Sequence, residues 1–291
     1  MCSTCGCSGS GKSVVTNPDQ HHAAGDAGGS HHHEHPHPHA HAHDDLDHLH
    51  MHAHDHDHGD ANDHHQHSHE DTDTRTIRLE QDILAKNNRL AERNRGWFEG
   101  RRIFALNLMS SPGAGKTTLL ERTIRELGRE LALAVIEGDQ ETLRDAERIR
   151  AAGCKVVQIN TGTGCHLDAE MLNRALRELD PPTGSVVMIE NVGNLVCPAL
   201  FDLGESARVV IMSVTEGEDK PLKYPHMFRA ADLMILSKAD LLPHLEFDVA
   251  ACLEHAHRVN PKLEVLQLSA TRSFGLDSWY TWLRRRGRDS I

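Results

Sequence analysis

Between Ser13 and Thr74 the chain has no lysine and no arginine, although thirteen aspartates and glutamates lie between Asp19 and Asp73. Lys12 is the only basic residue among the first 74, so that segment carries the whole formal charge of −12. The other 217 residues are balanced, with 30 basic and 30 acidic side chains. No basic surplus is left to meet phosphate backbones or anionic lipid, which argues against nucleic acid or a membrane as the main partner. Also lacking is any run of about 18 apolar residues or a signal-peptide core, and the sequence predicts a soluble, cytoplasmic protein. The seven cysteines do not make a disulfide framework either: three crowd the first seven residues, which suits metal better.

What the first quarter does have is histidine, 20 of the 25 lying between His21 and His69. They alternate with Asp, Ala and Pro, so this is no plain affinity tag. So few apolar residues cannot offset the entropy of ordering, and residues 1–74 are expected to form a disordered metal-binding tail ahead of a domain over 75–291. Neutral imidazole suits Ni²⁺, Cu²⁺ and Zn²⁺; the other reading is a solvating linker. Cys2, Cys5 and Cys7, with Gly6 allowing a tight fold, can converge on one cation as thiolates; the other reading is three unliganded thiols. Protons compete for imidazole near its pKa of about 6.5, which predicts metal release between about pH 7.5 and 5.

The domain is organised around Ser110-Ser111-Pro112-Gly113-Ala114-Gly115-Lys116-Thr117, which follows an apolar run and opens a helical pattern. It fits a phosphate-binding loop except at Ser110, where the general pattern has Gly. Gly113, Ala114 and Gly115 let backbone N–H groups face an anion, joined by the start of the helix at Lys116, Thr117 and Thr118. Lys116 is expected at the β/γ-phosphates and the Thr117 hydroxyl on Mg²⁺. Downstream, strand patterns at residues 131–136, 155–159, 186–189, 208–214, 233–236 and 265–268 alternate with helical ones, and a helix over 76–98 leads in. This predicts an α/β fold: a mostly parallel P-loop GTPase sheet with helices on both faces and ligands at the carboxyl ends of the strands.

Ser237-Lys238-Ala239-Asp240 follows a predicted strand and resembles the Asn-Lys-x-Asp guanine motif. The Asp240 carboxylate would accept from guanine N1–H and the 2-amino group, and adenine has neither donor there. Lys238 would lie along the base, while Ser269-Ala270 resembles the second base-contacting loop. Asp139 and Glu190, each ending a strand, are candidates for the Mg²⁺ shell, with helix caps or solvated acids as the plainer readings. The Gly193 N–H is the candidate γ-phosphate sensor. Cys165-His166 and Cys197 offer three of the four ligands of a tetrahedral ion, against a reading as buried structural cysteines. Cys197 lies four residues beyond Gly193, so movement there on GTP binding would drag a metal ligand. Cys154 and Cys252 read as core fillers.

Together, Cys-x-x-Cys-Gly-Cys, the histidine-rich tail, SSPGAGKTTLL, EGDQET, TGTGCHLDAEML, ENVGNLVCP, SVTEGEDKPLKYPHMF and SKADLLP closely resemble the HypB family of hydrogenase nickel-incorporation GTPases. The resemblance implies Mg²⁺-dependent hydrolysis of GTP to GDP and a homodimer formed with GTP. It implies delivery of Ni²⁺ to the large subunit of nickel-iron hydrogenase with HypA-type partners. It further implies a Ni²⁺/Zn²⁺ site of Cys165, His166 and Cys197 at the dimer interface and a tighter nickel site of Cys2, Cys5 and Cys7. Nickel storage, or service to another nickel enzyme such as urease, are the competing functions.

Overall fold

The computed structural model describes residues 13–17, 69–140 and 143–289. Cys2, Cys5, Cys7 and nearly all of the histidine-rich stretch lie outside the described residues. The strands are β1 (Val14–Thr16), β2 (Phe104–Ser110), β3 (Leu133–Asp139), β4 (Lys155–Asn160), β5 (Val186–Glu190), β6 (Ala207–Ser213), β7 (Leu233–Ser237) and β8 (Glu264–Gln267). They form one sheet in the order β1-β4-β3-β5-β2-β6-β7-β8, parallel throughout except for β1, which runs antiparallel to β4. The expected parallel α/β sheet is therefore present.

The helices are α1 (His69–Gly100), α2 (Lys116–Leu127), α3 (Arg144–Ala151), α4 (Ala169–Leu179), α5 (Lys220–Lys223), α6 (Pro225–Ala230), α7 (Val249–Val259) and α8 (Leu276–Asp289). Strand β2 shows why the sheet is buried on both faces. Its Phe104, Leu106 and Leu108 pack with Leu120 and Ile124 of α2 and Trp279 and Leu283 of α8. Ala105, one residue out of phase, joins Phe98 of α1 and Leu172, Leu176 and Leu179 of α4 in the opposite layer. Period-two alternation with apolar residues at both phases is what a doubly covered parallel strand requires. A third apolar cluster, including Met227, Phe228 and Cys252, covers the β6–β7 end.

Two described elements reach beyond the domain bounds expected from sequence. Val14–Thr16 extends the sheet by pairing with Asn160, Ile159 and Gln158. Arg174 of α4 holds this strand through the Ser13 carbonyl and hydroxyl, and Asn17 bonds Glu178 at 3.1 Å. The leading helix also starts at His69 rather than near residue 76. Polar side chains fasten α1 to the domain: Asn94 donates to the carbonyls of Ala169 and Leu203 at 2.9 and 3.0 Å, and Arg95 pairs with Asp202 at 2.7 Å.

Candidate nucleotide and metal site

The phosphate loop leaves β2 near the middle of the sheet, where that strand lies between β5 and β6. Gly113 and Gly115 have φ of +74° and +103°, backbone conformations that a Cβ would strain. Lys116 is buried and its ammonium donates to the Ser110 hydroxyl at 2.9 Å, so the residue that departs from the usual glycine serves as an internal acceptor. Burial lowers the Lys116 pKa, opposed chiefly by Glu190. The Thr117 hydroxyl donates to Glu190 at 2.8 Å. The other Glu190 carboxylate oxygen is buried without a partner. Burial raises the Glu190 pKa to about 7 despite Lys116 and Thr117.

These residues line a cavity of about 410 Å³ with Thr118, Glu137, Asp139, Gln140, Asp145, Arg148 and Asn191. Gly193 closes it from the β5 side, so near Pro112 that an added Cβ would come within 3.0 Å of that ring. Here the structure brings forward residues that sequence reasoning missed. Glu137 is buried with an unpartnered oxygen, and burial, then Glu190 and Asp139, push its pKa to about 9. Arg148 reaches the same cavity from α3, paired with Glu121 and Asp145 at 2.8 and 2.9 Å. Lys220 donates to Ser111 of the loop at 2.8 Å and to Glu216 at 2.7 Å.

A second cavity, of about 240 Å³, adjoins the first at Gly115 and Thr118. Its lining includes Ala114 of the phosphate loop and Ser237, Lys238, Asp240, Ser269 and Ala270 of the two predicted base-side segments. Ser237 stands where the guanine motif usually has asparagine. Its buried hydroxyl donates to the Ala114 carbonyl at 2.7 Å, tying β7 to the phosphate loop. The Ala239 N–H donates to Leu268 at 3.1 Å and joins the two base-side loops.

The ligand atoms of Cys165, His166 and Cys197 lie within 4.8 Å of one another. Cys165 Sγ is 3.7 Å from His166 Nδ1, and the imidazole stacks on Phe201 with centroids 3.9 Å apart. Burial lowers the His166 pKa, favouring the neutral ring that a metal requires. Two sulfurs and an imidazole are a borderline-soft donor set that fits Zn²⁺ or Ni²⁺ and not a hard cation. Cys154 and Cys252 are buried apart from this cluster with thiols pushed to about 12, as core residues would be.

Hydrogen bonds link the two sites. The Thr161 N–H donates to the Asp139 carbonyl at 2.9 Å, and its hydroxyl donates to Gly164, next to Cys165, at 2.8 Å. Buried Asn191, on the wall of the phosphate cavity, accepts from the Leu167 N–H at 3.2 Å and donates to Asn107 at 3.2 Å. Among the described residues no helix is long and apolar enough to cross a membrane.

Residues 104–267 match the family model described as the CobW/HypB/UreG nucleotide-binding domain. The hydrogenase maturation factor HypB of Azotobacter vinelandii is 62% identical over 212 residues, covering 73% of this chain and 70% of that protein. The Escherichia coli K12 protein of the same name is 57% identical over 209 residues, covering 72% of each. Among solved structures, HypB from Archaeoglobus fulgidus superposes with a TM-score of 0.65 at 40% identity, over 70% of this chain and 99% of that one. HypB from Helicobacter pylori in complex with nickel gives 0.66 at 38% identity, over 70% and 96%. A P-loop nucleotide fold carrying a Cys-Cys-His cluster beside its phosphate cavity, matched at this identity and coverage, means that the chain belongs to the HypB family of hydrogenase maturation factors.

Proposed function

We propose that this protein is a GTP-hydrolysing nickel metallochaperone that stores Ni²⁺ and supplies it to the large subunit of nickel-iron hydrogenase, with a HypA-type partner. The observation that carries the reading is the placement of Cys197. Its sulfur joins Cys165 and His166 in one cluster, and it sits four residues beyond Gly193 on the phosphate cavity. The cargo ion and the nucleotide thus share one segment.

GTP lies with its base against Asp240, Lys238, Ser269 and Ala270 and its phosphates along Gly113–Thr118. Lys116 turns from Ser110 to the β/γ-phosphates. Thr117 and Glu190 would hold Mg²⁺, with Asp139 lining the same cavity; hard oxygen donors and an unpartnered buried carboxylate oxygen fit that ion. When bound, Mg²⁺ would supply neutralisation of the phosphate charge. Water attacks the γ-phosphoryl group, the bond to the β–γ bridging oxygen breaks, and GDP and phosphate result. The γ-phosphate bonds the Gly193 N–H; its loss frees the 193–197 segment and loosens the metal cluster. Cys2, Cys5, Cys7 and the histidine-rich stretch hold further Ni²⁺ within residues 1–74. Three ligands per chain leave room for a homodimer that forms with GTP and shares Ni²⁺ or Zn²⁺ across a twofold axis in the cytoplasm.

The test is light scattering and metal analysis of the purified chain with GDP and with a non-hydrolysable GTP analogue. Dimer with the analogue, monomer with GDP and Mg²⁺-dependent phosphate release are expected; no phosphate release with GTP would overturn the reading.

A further inference from the structure

Among residues lining the phosphate cavity, Glu137 is a buried acid whose placement the scheme above leaves unexplained. It is 2% exposed, and one of its carboxylate oxygens is buried with no hydrogen-bond partner. In the parallel pairing of β3 with β5 it stands opposite Glu190, which places the two carboxyls side by side on one face of the sheet. Glu190 also keeps one buried oxygen without a partner. Two adjacent buried acids with two unsatisfied oxygens are costly, and native proteins retain such an arrangement where another group compensates it. Among the described residues lining this cavity Lys116 carries the one ammonium, and its hydrogen bond goes to Ser110.

Asp139, two residues further along β3, is differently situated. It is partly exposed at the strand's end, and its carbonyl anchors Thr161 and so the loop carrying Cys165. Both residues line the cavity, but Glu137 is the buried one, paired in the sheet with Glu190.

We infer that Glu137 is a positioning residue of the cation site, holding a Mg²⁺-bound water next to Glu190. Mg²⁺ parts reluctantly with its waters and is usually held by one or two carboxylates plus phosphate oxygens, so a second carboxylate beside Glu190 serves it by accepting from those waters. This rests on reading the cavity as the GTP site.

The experiment is fluorescent GDP binding to the full chain, first in EDTA and then across a Mg²⁺ titration. Glu137→Gln keeps the shape and removes the carboxyl's ability to ionise when Mg²⁺ binds. It is expected to raise the Mg²⁺ concentration for half-maximal effect about tenfold while leaving GDP affinity in EDTA within about twofold. Glu137→Asp, which keeps an ionisable carboxyl but retracts it, is expected to shift it about threefold and carries the test if the Gln variant does not fold. A half-saturation within about twofold of wild type in the variant measured, or an equal loss of GDP affinity with and without Mg²⁺, would overturn the inference. Failure of the underlying reading shows separately, in a wild-type chain that binds no GDP or whose binding ignores Mg²⁺.

Discussion

The phosphate cavity takes its chemical groups from regular structure: Lys116 and Thr117 open α2, Glu137 and Asp139 lie on β3, and Glu190 ends β5. Cys165 and His166 come instead from the irregular stretch between β4 and α4, and Cys197 from a single 3₁₀ turn. The surroundings differ as well: Glu190 is buried inside the sheet, whereas Cys197, itself buried, has Val196 and Leu200 near it at 42% and 44% exposed. Strand register fixes the first site without help from the second. The second depends on hydrogen bonds that lead back to the first, through Thr161 to Asp139 and through Leu167 to Asn191. On the proposed reading these hydrogen bonds couple the two sites, and reciprocity of binding free energies then requires metal to act on nucleotide affinity as nucleotide acts on metal.

The comparison breaks most visibly at a ligand. Cys197→Ser is expected to weaken Ni²⁺ or Zn²⁺ at the cluster by more than the roughly 10–100-fold that loss of an outer-shell partner costs, while GDP affinity stays within about twofold. Competition with a chromophoric chelator measures the first and fluorescent GDP the second. Next in size, Asp240→Asn exchanges an acceptor for a donor and should move preference from GTP toward XTP by about 10–100-fold in competition binding. Asn191→Ala removes the strut between the sites. It should cost about 1–3 kcal/mol in denaturant unfolding and shrink the effect of nucleotide on metal affinity.

The smallest expected effect is on pH dependence. Glu137 and Glu190 are raised to about 9 and about 7, so the folded state binds more protons than the unfolded chain above the ordinary carboxyl range. That contribution to stability is complete below the unfolded value of 4.5 and is lost as pH rises through 7 and then 9. The nucleotide-free chain should melt progressively lower from pH 5 to 9, and Glu137→Gln should flatten the upper part of that decline. A parallel curve for the variant would count against the shift assigned to Glu137.

Much of this was legible in sequence because the signals are local or periodic. The phosphate loop carries its conformation in Gly113 and Gly115, and the parallel strands announce themselves as short apolar runs between helical patterns. Strand β1 has three residues in a Ser-, Gly- and His-rich context, too short for any period to register, and only its partner β4 defines it. The short helices α5 and α6 escaped for the same reason. Glu137 was passed over because Glu137-Gly138-Asp139 offers two acids on one face, and which is buried depends on β5, some fifty residues on. The contact of Lys220 with Ser111 likewise exists only in the folded chain.

The central claim is that nucleotide state sets the grip of Cys165, His166 and Cys197 on their ion. The most direct measurement is Ni²⁺ titration of a chain carrying Cys2→Ser, Cys5→Ser and Cys7→Ser, followed by the thiolate-to-nickel absorption band, which histidine-bound metal does not produce. With Mg²⁺ present throughout, Ni²⁺ affinity with the non-hydrolysable GTP analogue should differ from that with GDP by about fivefold or more, GDP giving the weaker site. Affinities equal within about twofold in the two nucleotide states would contradict the account.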